Sequence, residues 1–120
     1  MTLNFEQVVF DCRNALTLAE FWSKVLEQPV DPGANEFFAT VGRSGALPLP
    51  TAFMFIQVPE ERVGKNRLHV DLGSATPEDD IARAVANGAE RFADFDEYGT
   101  AWTTLRDPEG NVFDIAFVAS

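Results

Sequence analysis

Leu68-His69-Val70-Asp71-Leu72 alternates apolar and polar residues near the midpoint of a 120-residue chain, and it carries the chain's one histidine. Side chains along a strand alternate with period two, so Leu68, Val70 and Leu72 share one side while His69 and Asp71 project from the other. The stretch predicts a strand over 67–73 with a polar face. A histidine and a carboxylate side by side, turned away from the apolar packing, mark that face as a candidate site.

Working outward, the element order restarts at this strand. Before it, residues 5–12 read as a strand with Val8, Phe10 and Cys12 on one face and Gln7, Val9 and Asp11 on the other. A helix over 15–28 follows, with Leu18, Phe21, Trp22, Val25 and Leu26 at helical spacing. Asn14 or the Thr17-x-x-Glu20 pair caps its start, and Pro29 and Pro32-Gly33 end it. Strands over 36–41 and 51–58 flank a loop rich in glycine and proline. After the strand at 67–73, Thr76-Pro77-Glu78-Asp79-Asp80 opens a second helix with an N-cap residue, a proline at its first position and an acidic first turn. Ile81, Ala84 and Val85 form its apolar stripe, and Asn87-Gly88 closes it. Strands over 90–95, 100–106 and 112–118 complete the chain, with Asp107-Pro108-Glu109-Gly110-Asn111 as the last turn. Each half reads strand, helix, then two or three strands, an internal duplication of about 60 residues.

Composition narrows the function classes. A hydrophobic content of 46% with 11 Phe and 2 Trp suffices for the core of one domain over 1–120, with a first module over about 1–60 and a second over about 66–120. The net charge of −10 opposes nucleic acid and anionic membrane as partners, since both select basic surface. Cys12 has no partner for an intrachain disulfide and reads as a small buried residue. A reducing cytoplasm is the expected compartment, because no leader and no membrane span is legible. Glycine-rich phosphate loops, nucleophile elbows and paired-cysteine zinc motifs are also missing from the sequence. Glu78-Asp79-Asp80 lacks the spacing of a calcium loop.

Three segments carry a family resemblance. Val8-Val9-Phe10-Asp11-Cys12 with Leu18-Ala19-Glu20-Phe21-Trp22, then Asn66 to Leu72, then Asp107 to Asn111 with Phe113-Asp114-Ile115, resemble the glyoxalase, bleomycin-resistance and extradiol-dioxygenase superfamily, the vicinal oxygen chelate proteins. The turn, the Phe-Trp pair and the first strand without histidine look most like its glyoxalase-like domain branch. The resemblance implies an α+β fold of two βαβββ modules, forming a curled mixed sheet around a cleft with helices outside. It implies four metal positions on the first and last strands of the modules, which fall on Gln7, Gln57, His69 and Asp114. A divalent ion such as Zn, Ni, Mn or Fe is the implied cofactor. Phe53 and Phe55 would wall the cleft, and Asp71 and Trp102 would meet substrate.

Two activities follow from the resemblance. One is a metal-assisted lyase, isomerase or dioxygenase acting on a small substrate with adjacent oxygens, the metal as Lewis acid. The other is a metal-free, drug-sequestering binding protein, in which His69 hydrogen-bonds Asp114, Asp71 or a glutamine and an acidic, aromatic cleft takes a cationic or planar ligand. An interaction module without small-molecule chemistry is a third class. Relatives commonly pair, so a homodimer is expected.

Overall fold

The computed structural model describes residues 3–119. Its elements run β1 (Gln7–Cys12), α1 (Ala15–Leu26), β2 (Phe38–Val41), β3 (Ala52–Gln57), β4 (Asp71–Ser74), α2 (Pro77–Ala86), β5 (Glu90–Glu97), β6 (Thr100–Arg106) and β7 (Val112–Phe117). The chain divides into two compact units, Met1–Glu61 and Arg62–Ser120. The fold is α+β, and its strands fall into two separate sheets ordered β1-β3-β2 and β4-β7-β6-β5. In each, the first strand runs parallel to the last and the last pairs antiparallel with its predecessor. The second unit is a complete βαβββ module. In the first, the strand expected ahead of β2 is reduced to an isolated bridge between Val30 and Val41.

Helix α1 starts where Asn14 Oδ1 accepts the amide hydrogen of Thr17 at 3.0 Å, which decides the cap in favour of Asn14 over the Thr17 pair. Its buried stripe, Ala15, Leu18, Phe21, Trp22 and Val25, packs on β2 and β3. The Trp22 ring lies 5.6 Å from Phe10 and 5.3 Å from Phe53, with Phe55 5.2 Å from Phe10. Phe53 and Phe55 therefore belong to the helix-side core. They do not wall a cleft, because the alternation that pairs them places Met54 and Ile56 on the opposite face.

Helix α2 begins at Pro77, but Thr76 makes no side-chain cap bond. Ser74 does the local work instead: its hydroxyl accepts from the Thr76 amide at 2.9 Å and donates to Asp80. Ile81 and Ala84 bury against the sheet, together with Leu105, Phe113 and Ile115. Val85, expected in that stripe, is 45% exposed, since the ten-residue helix presents only a narrow face.

The strand expected over 67–73 begins only at Asp71, and Leu68 is exposed. The reason is Asn66. Its Oδ1 accepts the Val112 amide hydrogen at 2.8 Å, while its Nδ2 donates to the Val112 carbonyl at 3.3 Å and to the Leu68 carbonyl. A side chain thus occupies the ladder groups a strand would have used, and ordinary pairing resumes at Asp114 N to Val70 O, 3.0 Å.

Candidate functional site

In the second unit, Asp71 pairs with Asp114 across β4 and β7, and Asp114 pairs with Thr104 across β7 and β6. Directly opposed residues share a face, so these three side chains stand in one row. Phe113, Ile115 and Leu105 alternate to the helix side and are buried. His69, two residues before Asp71, enters from the segment anchored by Asn66. Its Nε2 lies 3.1 Å from Asp71 Oδ1 and 3.4 Å from Asp114 Oδ2.

Asp114 is the most enclosed of the three, with its side chain 16% exposed against 43% for His69 and 70% for Asp71. Its other oxygen, Oδ1, accepts the Thr104 hydroxyl hydrogen at 2.6 Å. That bond leaves Oδ2 aimed at His69. One ligand atom from each of His69, Asp71 and Asp114 falls within 4.8 Å of the other two.

One imidazole and two carboxylates form a mixed N/O donor set suited to borderline and hard divalent ions. Two carboxylates also offset a divalent charge. Metal–ligand bonds of about 2.1 Å set neighbouring donors roughly 3.0 Å apart in octahedral and 3.4 Å apart in tetrahedral geometry. The two distances from His69 Nε2 lie in that range. The residues fit a divalent metal.

The other predicted ligands belong to the first unit. Gln7 pairs with Ala52, and Gln57 is five residues beyond Ala52 on the same strand. At about 3.3 Å per residue the two glutamines are roughly 17 Å apart along the sheet, too far to share one ion. Gln57 is exposed at the end of β3 and donates to the Arg13 carbonyl at 2.9 Å. The Gln7 carboxamide oxygen accepts from Arg43.

The registers show which residues stand at the corresponding positions there. The row Asp71, Asp114, Thr104 of the second unit corresponds to Val9, Met54, Thr40 of the first, with Gln7 in the place of His69. Met54, not Gln57, is the counterpart of Asp114. Thr40 has turned its hydroxyl to Asp31, donating to Oδ2 at 2.6 Å. Asp31 also accepts the Ser44 hydroxyl at 2.6 Å, the Ser44 amide at 2.8 Å and the Arg43 amide at 3.2 Å. Burial alone would raise the Asp31 carboxyl, but these hydroxyls and amides outweigh it and hold the group below the ordinary carboxylate range. The first unit has the same strand register without the histidine and the two carboxylates.

Sequence reasoning assigned Asp71 to substrate and missed Thr104 altogether. Parity did place Asp71 beside His69 on one face, but Thr104 joins the row only through the β6/β7 register. Trp102, one row along from Thr104, stacks on Phe95 with ring centroids 5.2 Å apart and an 18° interplanar angle. No helix among the described residues is long and apolar enough to cross a membrane.

A family model described as a glyoxalase-like domain matches residues 7–116. No curated protein sequence is significantly similar to the chain. Among solved structures, it resembles a glyoxalase/bleomycin resistance protein/dioxygenase family enzyme from Burkholderia phytofirmans, with 18% identity, 97% of this chain and 99% of that one covered, and a TM-score of 0.79. A glyoxalase-related enzyme from Fulvimarina pelagi has 14% identity over 98% and 89% of the chains, TM-score 0.72. A variant of the fosfomycin resistance protein FosX from Listeria monocytogenes, complexed with Mn(II) and 1S,2S-dihydroxypropylphosphonic acid, has 8% identity over 97% and 90%, TM-score 0.76. The likeness to these structures is one of fold. With the family match spanning nearly the whole sequence, the chain belongs to the glyoxalase-like domain family.

Proposed function

We propose that the protein is a metal-assisted enzyme acting on a small oxygenated substrate, of the lyase, isomerase or dioxygenase kind. The observation that carries this reading is the convergence of His69, Asp71 and Asp114 ligand atoms on one point of the second unit's sheet face. The Mn(II) held by the FosX relative supports it by analogy of fold alone.

In this reading His69, Asp114 and Asp71 hold the divalent ion. When bound, the metal supplies a Lewis acid for a substrate oxygen. The chain's own residues do the rest. Thr104 fixes the Asp114 carboxylate so that Oδ2 faces His69. Asn66 ties the His69 segment to β7. Asp71, the most exposed of the carboxylates, is the group best placed to accept a proton from a bound substrate.

Metal-stripped protein, reloaded with Mn(II), Zn(II), Ni(II) or Fe(II), should take up one equivalent per chain. His69→Ala should lose that uptake with little change in unfolding temperature, because the imidazole is part-exposed and removes no core packing. Equal metal uptake by parent and variant would sink the proposal. A stability loss in the variant with no metal bound by the parent would assign His69 to structure.

A further inference from the structure

In the first unit, the segment between β2 and β3 delivers an arginine to the first strand. Gly42, at φ +104°, turns the chain out of β2. The buried carboxylate of Asp31 then accepts the next two amides, Arg43 at 3.2 Å and Ser44 at 2.8 Å. Both Asp31 oxygens are taken by these amides and by the Thr40 and Ser44 hydroxyls, so the backbone at Arg43 is fixed. Its exposed guanidinium donates to Gln7 Oε1. Among the described residues no carboxylate pairs with that guanidinium, whereas Arg13, Arg83, Arg91 and Arg106 each have one. In a chain with 19 acidic residues against 9 basic ones, an anchored arginine held by a neutral amide keeps its ion-pairing capacity unused.

Gln7 completes a pair of donors. Its amide oxygen is spent on Arg43, so its Nε2 presents N–H groups beside the unused part of the guanidinium, and neither side chain has a further partner among the described residues. Two donor groups, one of them charged and neither offering an acceptor, select an oxyanion. The planar guanidinium fork matches a carboxylate or a phosphonate. An open depression of about 600 Å³ adjoins Gln7, lined also by Leu3, Asn4, Phe5, Glu6 and Val9. Phe5 and Val9 are exposed there and share the strand parity of Gln7. Glu6 is exposed, so solvent and salt screen its charge. We propose that Gln7 and Arg43 bind the oxyanion of a small organic acid, carboxylate or phosphonate, with its apolar part along Phe5 and Val9. Such a site departs from the family resemblance, which places a metal at Gln7, because a carboxamide oxygen already accepting from a cation is a poor ligand for a second one. It rests on the first unit alone and holds with or without a metal in the second.

Benzoate and phenylphosphonate, with benzamide as the neutral control, test this on metal-stripped protein in chelator-free buffer at physiological salt. Calorimetry reads affinity and stoichiometry, and the Arg43 Nε–H and Gln7 side-chain amide resonances read the place of binding. At least one acid should saturate at one per chain and shift both resonances, with benzamide about tenfold weaker or more; whichever acid binds names the oxyanion. Arg43→Gln should weaken that acid about tenfold or more, as for loss of a hydrogen bond to a charged group. Gln7→Glu should do the same by placing a carboxylate on Arg43 itself. Trp22 is fully buried and reports whether each variant is folded; if one variant fails to fold, the other decides. Binding unchanged in a folded variant overturns the proposal, as does saturation by neither acid, equal binding of benzamide, or acid binding that leaves the Arg43 and Gln7 resonances in place. Because no metal is present, a failure of metal uptake leaves the outcome untouched.

Discussion

Thr104→Val removes one hydroxyl and almost nothing else, so it isolates the bond that orients Asp114. The hydroxyl donates to Asp114 Oδ1 at 2.6 Å, and the carboxylate is 84% shielded in its side chain, as the complement of its 16% exposure. Hydrogen bonds to charged groups contribute about 1.5–3 kcal/mol. Water reaches part of Asp114 and recovers some of that, so a loss of about 1–2 kcal/mol in unfolding free energy is expected. Metal affinity should fall about 10- to 100-fold, the usual cost of losing an outer-shell partner of a ligand. Two effects oppose each other, since a carboxylate without its donor is a more basic ligand but is free to rotate. Orientation should win, because Oδ2 must stay within reach of the point shared with His69 and Asp71. Calorimetric titration with Mn(II) or Zn(II) and urea unfolding read the two quantities separately, and Thr104→Ser should restore both. A variant that loses stability as expected but binds metal within about twofold of the parent would refute the reasoning and reduce Thr104 to a strand residue.

The remaining expectations concern the frame. The folded Asp31 carboxyl titrates below its unfolded value, so its stabilisation is present above about pH 4 and lost as pH falls through the lower folded value. Asp31→Ala should cost about 2–4 kcal/mol near neutrality, and the gap to the parent should shrink steadily in acid; a gap constant down to about pH 2.5 would contradict this. Asn66→Ala should cost about 1–3 kcal/mol and speed hydrogen exchange at the Val112 amide, which the Asn66 oxygen now holds at 2.8 Å; unchanged protection there would remove Asn66 from the role. Asp107, 4% exposed, accepts from Glu109 N, Asn111 N and Asn111 Nδ2 at 2.9–3.0 Å. Its replacement by alanine should lower the unfolding temperature by about 4 °C or more, as for a loss of 1–2 kcal/mol, and a shift within error would be inconsistent with that role.

Much of the local chemistry was legible, the cap expected at Thr76 being an exception, since that side chain makes no cap bond. The Asp107 turn, the cap at Asn14 as one of the two offered for α1, the proline start of α2 and the helix stripe running from Leu18 through Val25 all depend on residues within a few positions of each other, and all appear in the structure. Period-two alternation likewise put His69 and Asp71 together and turned Asp114 away from Phe113 and Ile115. The wall that the resemblance implied for Phe53 and Phe55 could not be checked that way, because alternation says which residues share a face and not which face the helix will cover. Only the position of α1 over β3 decides that.

By itself, then, the sequence determined the element order, its repetition, and the presence of a histidine and carboxylates on open strand faces, since these follow from periodicity and turn residues along one segment. The tertiary structure decided the register, which no single segment encodes. Pairing of β1 with β3 made Met54 the counterpart of Asp114 and carried Gln57 to the far end of the sheet. Pairing of β7 with β6 brought in Thr104, and the clamp of Asn66 on Val112 set His69 between two aspartates. The chain repeats the strand frame, and among the described residues the second copy is where cross-strand neighbours separated by tens of residues bring a histidine and two carboxylates together.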